Sequence, residues 1–134
     1  MIFVDSDAFI GINNPHDAHH KNALMLLEHF RSKAEILATS WEVIDEISTK
    51  LTYFFSKSDA AEFLESLAQH DIQIEFIDRE TSLAAKDIFL SQKSKNVSMT
   101  DCANMAIAKK LGITTFFSFD EHYKKNGFTL LSLA

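Results

Sequence analysis

The sequence has few of the residues that crosslink a chain or break its regular structure. Its 134 residues include one proline, three glycines and one cysteine, Cys102. A single cysteine excludes a disulfide within the chain, and this usage is typical of the reducing cytoplasm, where we expect the protein to act. No apolar run approaches the roughly 20 residues that a transmembrane helix needs, so no membrane partner is predicted. The opening segment MIFVDSDAF lacks the basic start of a signal peptide.

Positive charge is also scarce. The chain has 13 Lys and Arg against 19 Asp and Glu, a net charge of −6. Binding to nucleic acid of any sequence needs a broad basic surface, which this balance argues against. The same balance is compatible with a nuclease that has a carboxylate-lined metal site and a local basic rim, and with a basic partner protein. The hydrophobic and charged fractions, 46% and 24%, are those of a globular chain, and we expect one domain over residues 1–134.

Short apolar runs alternate with helical patterns along the whole chain. This alternation predicts a three-layer α/β/α domain with a central, mainly parallel sheet of about five strands. The expected strands are 2–4, 36–38, 72–77, 115–118 and 128–131. Helices are expected near 8–12, from Asn14-Pro15, from caps at Thr39 and Ser58, over 79–92, and from Ser98 to Leu111 with Gly112 at the stop.

Acidic residues fall where the predicted strands end. Asp5 ends the first strand and Asp120 follows the fourth, and ligands of open parallel sheets bind beyond these carboxyl ends. Glu46 lies on the helix after the second strand, and Asp101 opens a later helix whose placement is less direct. Clustered carboxylates repel one another unless a cation neutralises them. Where such carboxylates meet, all-oxygen ligands favour Mg²⁺ or Mn²⁺ over Zn²⁺.

Each of these acids also has a purely structural interpretation. Ser98 and Asp101 fit a capping box, in which Asp101 would only stabilise the start of its helix. Asp5 and Asp120 could begin turns, and Glu46 could be a solvated helix acid. Three further residues lie close to these acids in the sequence: Asp7 beside Asp5, Asn104 one helical turn after Asp101, and His122 two residues after Asp120. His16, His19 and His20 are expected to be polar surface residues.

Four segments of the chain resemble one known family. The segments are IFVDSDAFIG, TSWEVIDEI, SMTDCANMAIAKKLGI and FFSFDEHY. Together they resemble the PIN-domain ribonucleases, particularly the VapC-type toxins of toxin–antitoxin pairs, over essentially the whole chain. The resemblance implies a PIN-like domain whose catalytic and metal-binding residues are Asp5, Glu46, Asp101 and Asp120. Ser6-Asp7 and Ser118-Phe119 depart from the usual residues beside the first and last of these acids.

The resemblance also implies an activity. It is that of a Mg²⁺- or Mn²⁺-dependent endoribonuclease, which hydrolyses RNA phosphodiester bonds and leaves 5′-phosphate and 3′-hydroxyl ends. The implied partners are an RNA substrate, such as tRNA or another structured RNA, a small antitoxin protein, and a second copy of the chain in a homodimer.

Two other functions compete with this interpretation. One is a non-catalytic PIN-fold module that binds RNA or protein, although the intact set of four acids argues against it. The other is a haloacid-dehalogenase-type phosphatase with Asp5 as nucleophile, because Asp5-Ser6-Asp7 follows an apolar strand. That enzyme class also needs a downstream acid pair, usually Gly-Asp-x-x-x-Asp, and this motif is missing from the sequence.

Overall fold

A five-stranded sheet forms the centre of the computed structural model, which describes residues 1–133. The strands are β1 Ile2–Val4, β2 Leu37–Ser40, β3 Ile72–Glu75, β4 Thr115–Phe117 and β5 Thr129–Leu130. Their order is β3-β2-β1-β4-β5, and every neighbouring pair is parallel. The strand order reverses around β1, so the space beyond the carboxyl ends of β1 and β4 is the expected ligand position.

Helices cover both faces of this sheet. They are α1 Ser6–Asn13, α2 His20–Ser32, α3 Trp41–Phe54, α4 Lys57–Ser66, α5 Arg79–Ser91, α6 Met99–Leu111 and α7 Glu121–Lys125, with a 3₁₀ turn at Leu67–Gln69. Within residues 1–133, every helix is too short or too polar to cross a bilayer. The predicted three-layer α/β/α architecture with a parallel five-stranded sheet is therefore confirmed.

The side chains of β1 and β4 divide the core into two clusters. Phe3 and Phe116 lie in one cluster, with Val43 of α3 and the buried residues of α6. Val4 and Phe117 lie in the other, which α1 and α2 cover. This division follows from the pleat of a strand, which points successive side chains to opposite faces.

Two predicted helix caps are wrong by one or two residues. Ser40, not Thr39, caps α3, because the Ser40 hydroxyl accepts from the Val43 N–H at 3.1 Å. Thr39 still belongs to β2, and its hydroxyl donates to the Val4 carbonyl at 2.7 Å. Ser56 caps α4 in place of Ser58. Runs of adjacent hydroxyl residues offer several equivalent caps, and the strand or loop before the helix decides which one is used.

The predicted helix start at Asn14-Pro15 is also wrong. Asn14 follows the last residue of α1, and its side chain accepts from the His16 N–H at 3.0 Å in a local turn. The next helix, α2, begins at His20. Asn and Pro favour turns as well as helix starts, so the same residues here connect two helices.

Gly112 ends α6 in the left-handed conformation, with φ of 71°. We expect Gly112→Ala to lower the free energy of unfolding by about 1 kcal/mol, because a Cβ is disfavoured at positive φ. Urea denaturation measures this loss. Lys109→Ala, on the exposed surface of the same helix, is the matched control and should change stability by less than ~0.5 kcal/mol. Equal effects of the two substitutions would contradict the prediction.

Candidate metal centre

Three aspartates meet beyond the carboxyl ends of β1 and β4. Asp5 directly follows β1, Asp7 lies in the first turn of α1, and Asp120 lies three residues beyond Phe117. One carboxylate oxygen from each lies within 4.8 Å of the others. Asp5 is 2% exposed, Asp7 is half-buried and Asp120 is exposed, so the group opens to solvent on the Asp120 side.

The end of β4 holds two of these carboxylates in place. The Ser118 hydroxyl lies 3.2 Å from an oxygen of Asp5 and 3.2 Å from an oxygen of Asp7. The Phe119 N–H donates to Asp7 at 2.8 Å, and the Asp120 N–H donates to the Ser118 hydroxyl at 3.1 Å. The bonds to Asp5 and Asp7 join residues more than 100 positions apart, so the site exists only when β1 and β4 are paired.

Two carboxylates of the group have raised pKa values. Burial raises the pKa of Asp5 well above its usual range, and repulsion from Asp7 and Asp101 raises it further. Burial also raises the pKa of Asp7 to about 6, against the opposing effect of the Phe119 N–H. The second carboxylate oxygen of Asp7, Oδ1, is buried and makes no hydrogen bond. Three converging carboxylates with an unused oxygen fit a hard divalent cation such as Mg²⁺ or Mn²⁺.

Asp101 combines the two roles that the sequence offered as alternatives. It forms the predicted capping box with Ser98, accepting from the Ser98 N–H at 2.8 Å. Its other oxygen, Oδ1, accepts from the Tyr123 hydroxyl at 3.3 Å. The His122 Nε2 lies 3.4 Å from Oδ2, the oxygen that also accepts from Ser98. Asp101 therefore borders the three-aspartate group without belonging to it, and it raises the pKa of Asp5.

Asn104 connects Asp101's helix to Asp5. Its amide nitrogen lies 3.4 Å from Asp5 Oδ1 and 3.2 Å from the Tyr123 hydroxyl. Its oxygen accepts from the Ser40 hydroxyl at 2.7 Å. Asn104, Ser40 and Tyr123 are all buried. The helical spacing from Asp101 pointed to Asn104, whereas Ser40 and Tyr123 carried no functional signal in the sequence.

Glu46 lies on α3, outside the three-aspartate group. Its carboxylate is 3.1 Å from the Lys50 ammonium, one helical turn later. It lines a surface cleft with Thr100, which precedes Asp101 in α6. Of the four predicted site residues, the structure thus brings Asp5 and Asp120 together and places Asp101 beside them. Asp7, whose role the sequence left open, is the third member of the group.

Comparison with known proteins identifies the family. The family model of the PIN domain matches residues 2–129, and the chain therefore belongs to the PIN-domain family. The 23S rRNA-specific endonuclease VapC20 of Mycobacterium tuberculosis, found in two strains, is 25% identical over 128 residues. The match covers 96% of this chain and 95% of VapC20.

Two solved structures share the fold. The crystal structure of VapC20, described as a sarcin–ricin loop cleaving toxin, has a TM-score of 0.84 at 24% identity, covering 96% of this chain and 97% of VapC20. VapBC2 from Rickettsia felis, bound to a DNA fragment from its promoter, has a TM-score of 0.69 at 18% identity and 98% coverage of each chain. The predicted resemblance to PIN-domain proteins of the VapC type is confirmed.

The raised pKa of Asp7 generates a prediction on pH. Because the folded-state pKa of about 6 exceeds the usual value near 3.8, the unfolded chain releases this proton at lower pH than the folded chain. We expect the stability of the metal-free protein to fall, relative to Asp7→Asn, as the pH rises from about 4 to 6. Thermal unfolding in EDTA measures this difference. Parallel pH profiles for the two proteins would contradict it.

Metal binding should reverse this loss. Mn²⁺ at about 100 times its Kd should raise the Tm by roughly 5 °C or more at pH 7.5, and by less at pH 5, where protons compete for the carboxylates. Asp87→Asn, an exposed aspartate of α5, is the matched control and should respond as the wild type does. A metal-induced shift that Asp7→Asn leaves unchanged would exclude Asp7 as a ligand.

The buried amide of Asn104 generates a further prediction. We expect Asn104→Ala to weaken Mn²⁺ binding about 10- to 100-fold, because outer hydrogen-bond partners orient metal-binding carboxylates. Isothermal titration calorimetry on the folded variant measures this affinity. The control is Asn126→Ala, since the Asn126 side chain bonds to Gln92 and to the His122 carbonyl and to none of the aspartates. Unchanged affinity in Asn104→Ala would show that Asp5 does not depend on this amide.

Proposed function

We propose that this chain is a metal-dependent endoribonuclease that hydrolyses RNA phosphodiester bonds. The observation that carries the proposal is the convergence of Asp5, Asp7 and Asp120 within 4.8 Å at the reversal point of a parallel sheet. Similarity to VapC20, a 23S rRNA-specific endonuclease, along 96% of the chain supports the same reaction class. A carboxylate group of this kind needs a cation before it can approach a phosphate, since both carry negative charge.

Asp5, Asp7 and Asp120 are proposed to hold Mg²⁺ or Mn²⁺. The bound cation would lower the pKa of a water ligand and stabilise negative charge on the phosphate. Asp120 is the exposed member, so RNA approaches from its side. Ser118 and the Phe119 N–H keep Asp7 oriented, and Asn104 keeps Asp5 oriented.

Asp101 and Glu46 complete the proposed catalytic set. Asp101 acts beside the metal ligands, where it contacts Tyr123 and His122 and can orient the attacking water. Glu46 lies on α3 and lines a cleft with Thr100, the residue before Asp101, which supports its place in the set. The proposed set is therefore the four acids expected from the sequence, Asp5, Glu46, Asp101 and Asp120, with Asp7 added.

The proposed substrate is the sarcin–ricin loop of 23S rRNA, on which VapC20 acts. The broader expectation from the sequence, tRNA or another structured RNA, supplies the comparison substrate. The proposed partners are a small antitoxin protein, in line with the likeness to VapBC2, and a second copy of the chain. Basic side chains of an antitoxin would suit the acidic group and block access to it. The proposed setting is the cytoplasm, with residues 1–134 acting as one domain.

RNA cleavage by the purified chain tests this function. The chain is separated from any co-purified protein and mixed with a sarcin–ricin loop hairpin or with tRNA, in Mg²⁺ or Mn²⁺. We expect EDTA to abolish cleavage, and Asp101→Asn and Asp5→Asn each to slow it more than about 100-fold. Removing a residue that only hydrogen-bonds a metal ligand slows such reactions by at most about 100-fold, so a larger loss indicates a direct role.

The control for the charge change is Asp87→Asn, which lies on the exposed surface of α5 and should cleave normally. Cleavage that persists in EDTA or in Asp5→Asn would overturn the metal mechanism. Metal binding without cleavage of either RNA would favour the non-catalytic module. Preference for tRNA over the hairpin would keep the enzyme class and replace the proposed substrate.

A further inference from the structure

An aromatic stack stands at the edge of the metal centre. Phe119 lies between Ser118 and Asp120, and its ring stacks on that of His19 with centroids 4.1 Å apart and planes 3° from parallel. His19 is the residue before α2, about 100 positions earlier in the chain. The pairing therefore joins the loop after α1 to the segment that carries the exposed metal ligand.

Backbone hydrogen bonds of Phe119 and His19 hold the two residues in place. The Phe119 N–H donates to Asp7 at 2.8 Å, so the ring's position is tied to a proposed metal ligand. The His19 N–H donates to the Asp17 carboxylate at 3.0 Å, and its carbonyl accepts from the Ala23 N–H at 2.8 Å. The stack is thus built into the site.

Gly11 allows the His19 loop to lie close to α1. A Cβ at Gly11 would come within 3.2 Å of the Ala23 side chain and 3.7 Å of the His19 Cβ. The next residue, His20, fastens the loop by a 2.7 Å hydrogen bond between its ring and the Gly11 carbonyl. The helix packing therefore fixes where His19 presents its ring.

His19 remains exposed although Phe119 covers one face of its imidazole. Solvent therefore reaches His19, and its stacking partner Phe119 directly precedes the exposed Asp120. Unpaired RNA bases stack on aromatic side chains, histidine included, and this contact needs no positive charge. Such a contact suits a chain with a net charge of −6, whose surface offers little general attraction for phosphates.

We propose that the His19–Phe119 stack is a base-stacking platform for the substrate. An unpaired base next to the scissile phosphate lies on the free face of His19 and continues the stack. The platform selects unpaired RNA over duplex, because the faces of a paired base are already covered by its neighbours. The platform distinguishes unpaired from paired bases and does not distinguish one base from another, since every base has a π face. This inference rests on the proposed endoribonuclease function.

Three variants separate stacking from other roles of His19. We expect His19→Ala to raise the KM for a sarcin–ricin loop hairpin roughly tenfold, within the range that base stacking accounts for, with a smaller effect on kcat. His19→Phe should recover most of this loss, because phenylalanine stacks but has no imidazole nitrogen. His16→Ala is the matched control, since His16 is exposed in the same loop and bonds through its backbone to Asn14. Thermal unfolding verifies that all three variants fold.

A fluorescence measurement reports on stacking without cleavage. The hairpin carries 2-aminopurine in its loop and is bound to Asp101→Asn protein, whose cleavage is slowed. We expect the fluorescence of one loop position to be quenched when the hairpin binds. This quenching should be lost with His19→Ala and recovered with His19→Phe. A fully paired duplex of the same length should bind several-fold more weakly than the hairpin.

Four results would overturn the platform. They are a His19→Ala protein with unchanged KM and quenching, a His19→Phe protein as impaired as His19→Ala, equal loss with His16→Ala, and a duplex bound as tightly as the hairpin. If the wild type cleaves and Asp101→Asn does not, these results refute the platform and leave the nuclease function standing. If the wild type does not cleave at all, the quenching experiment still decides whether His19 binds unpaired bases.

Discussion

The burial of Asp5 beside two other aspartates is the constraint on which the site depends. A carboxylate that is 2% exposed and faces Asp7 and Asp101 is unfavourable in its charged form, as its raised pKa records. The fold brings this carboxylate to the carboxyl edge of the sheet because Asp5 directly follows β1, the strand at which the order reverses. Folding alone gives no reason to concentrate negative charge there, whereas a divalent cation does.

The surrounding polar residues act as a scaffold for this charge. Ser118 and the Phe119 N–H hold Asp7 from the end of β4, and Asn104 approaches Asp5 from α6. Asn104 is in turn held by Ser40 from the start of α3. Four elements from distant parts of the chain therefore share one hydrogen-bonded network. Such a network keeps the carboxylates oriented, as the proposed cation site requires.

Local sequence rules succeeded at both ends of α6 and failed where neighbouring residues could serve the same role. Gly112 ends α6 as predicted, because a left-handed stop suits glycine. Thr39 and Ser40 could each have capped α3, and the bond from Thr39 to the Val4 carbonyl decided in favour of Ser40. Asp101 was predicted either to cap a helix or to serve the site, and its two oxygens allow it to contact both Ser98 and Tyr123.

The sequence by itself determined the alternation of strands and helices, the parallel sheet, and the position of Asp5 and Asp120 at strand ends. These follow from local hydrophobic periodicity and from the rule that parallel strands share one carboxyl edge. Only the tertiary structure decided that Asp7 joins them, that Asn104 and Tyr123 connect them to Asp101, and that His19 stacks on Phe119. Most of those contacts join residues about 20 to 110 positions apart. Strand pairing and helix packing set their geometry, and no local pattern in the chain encodes it.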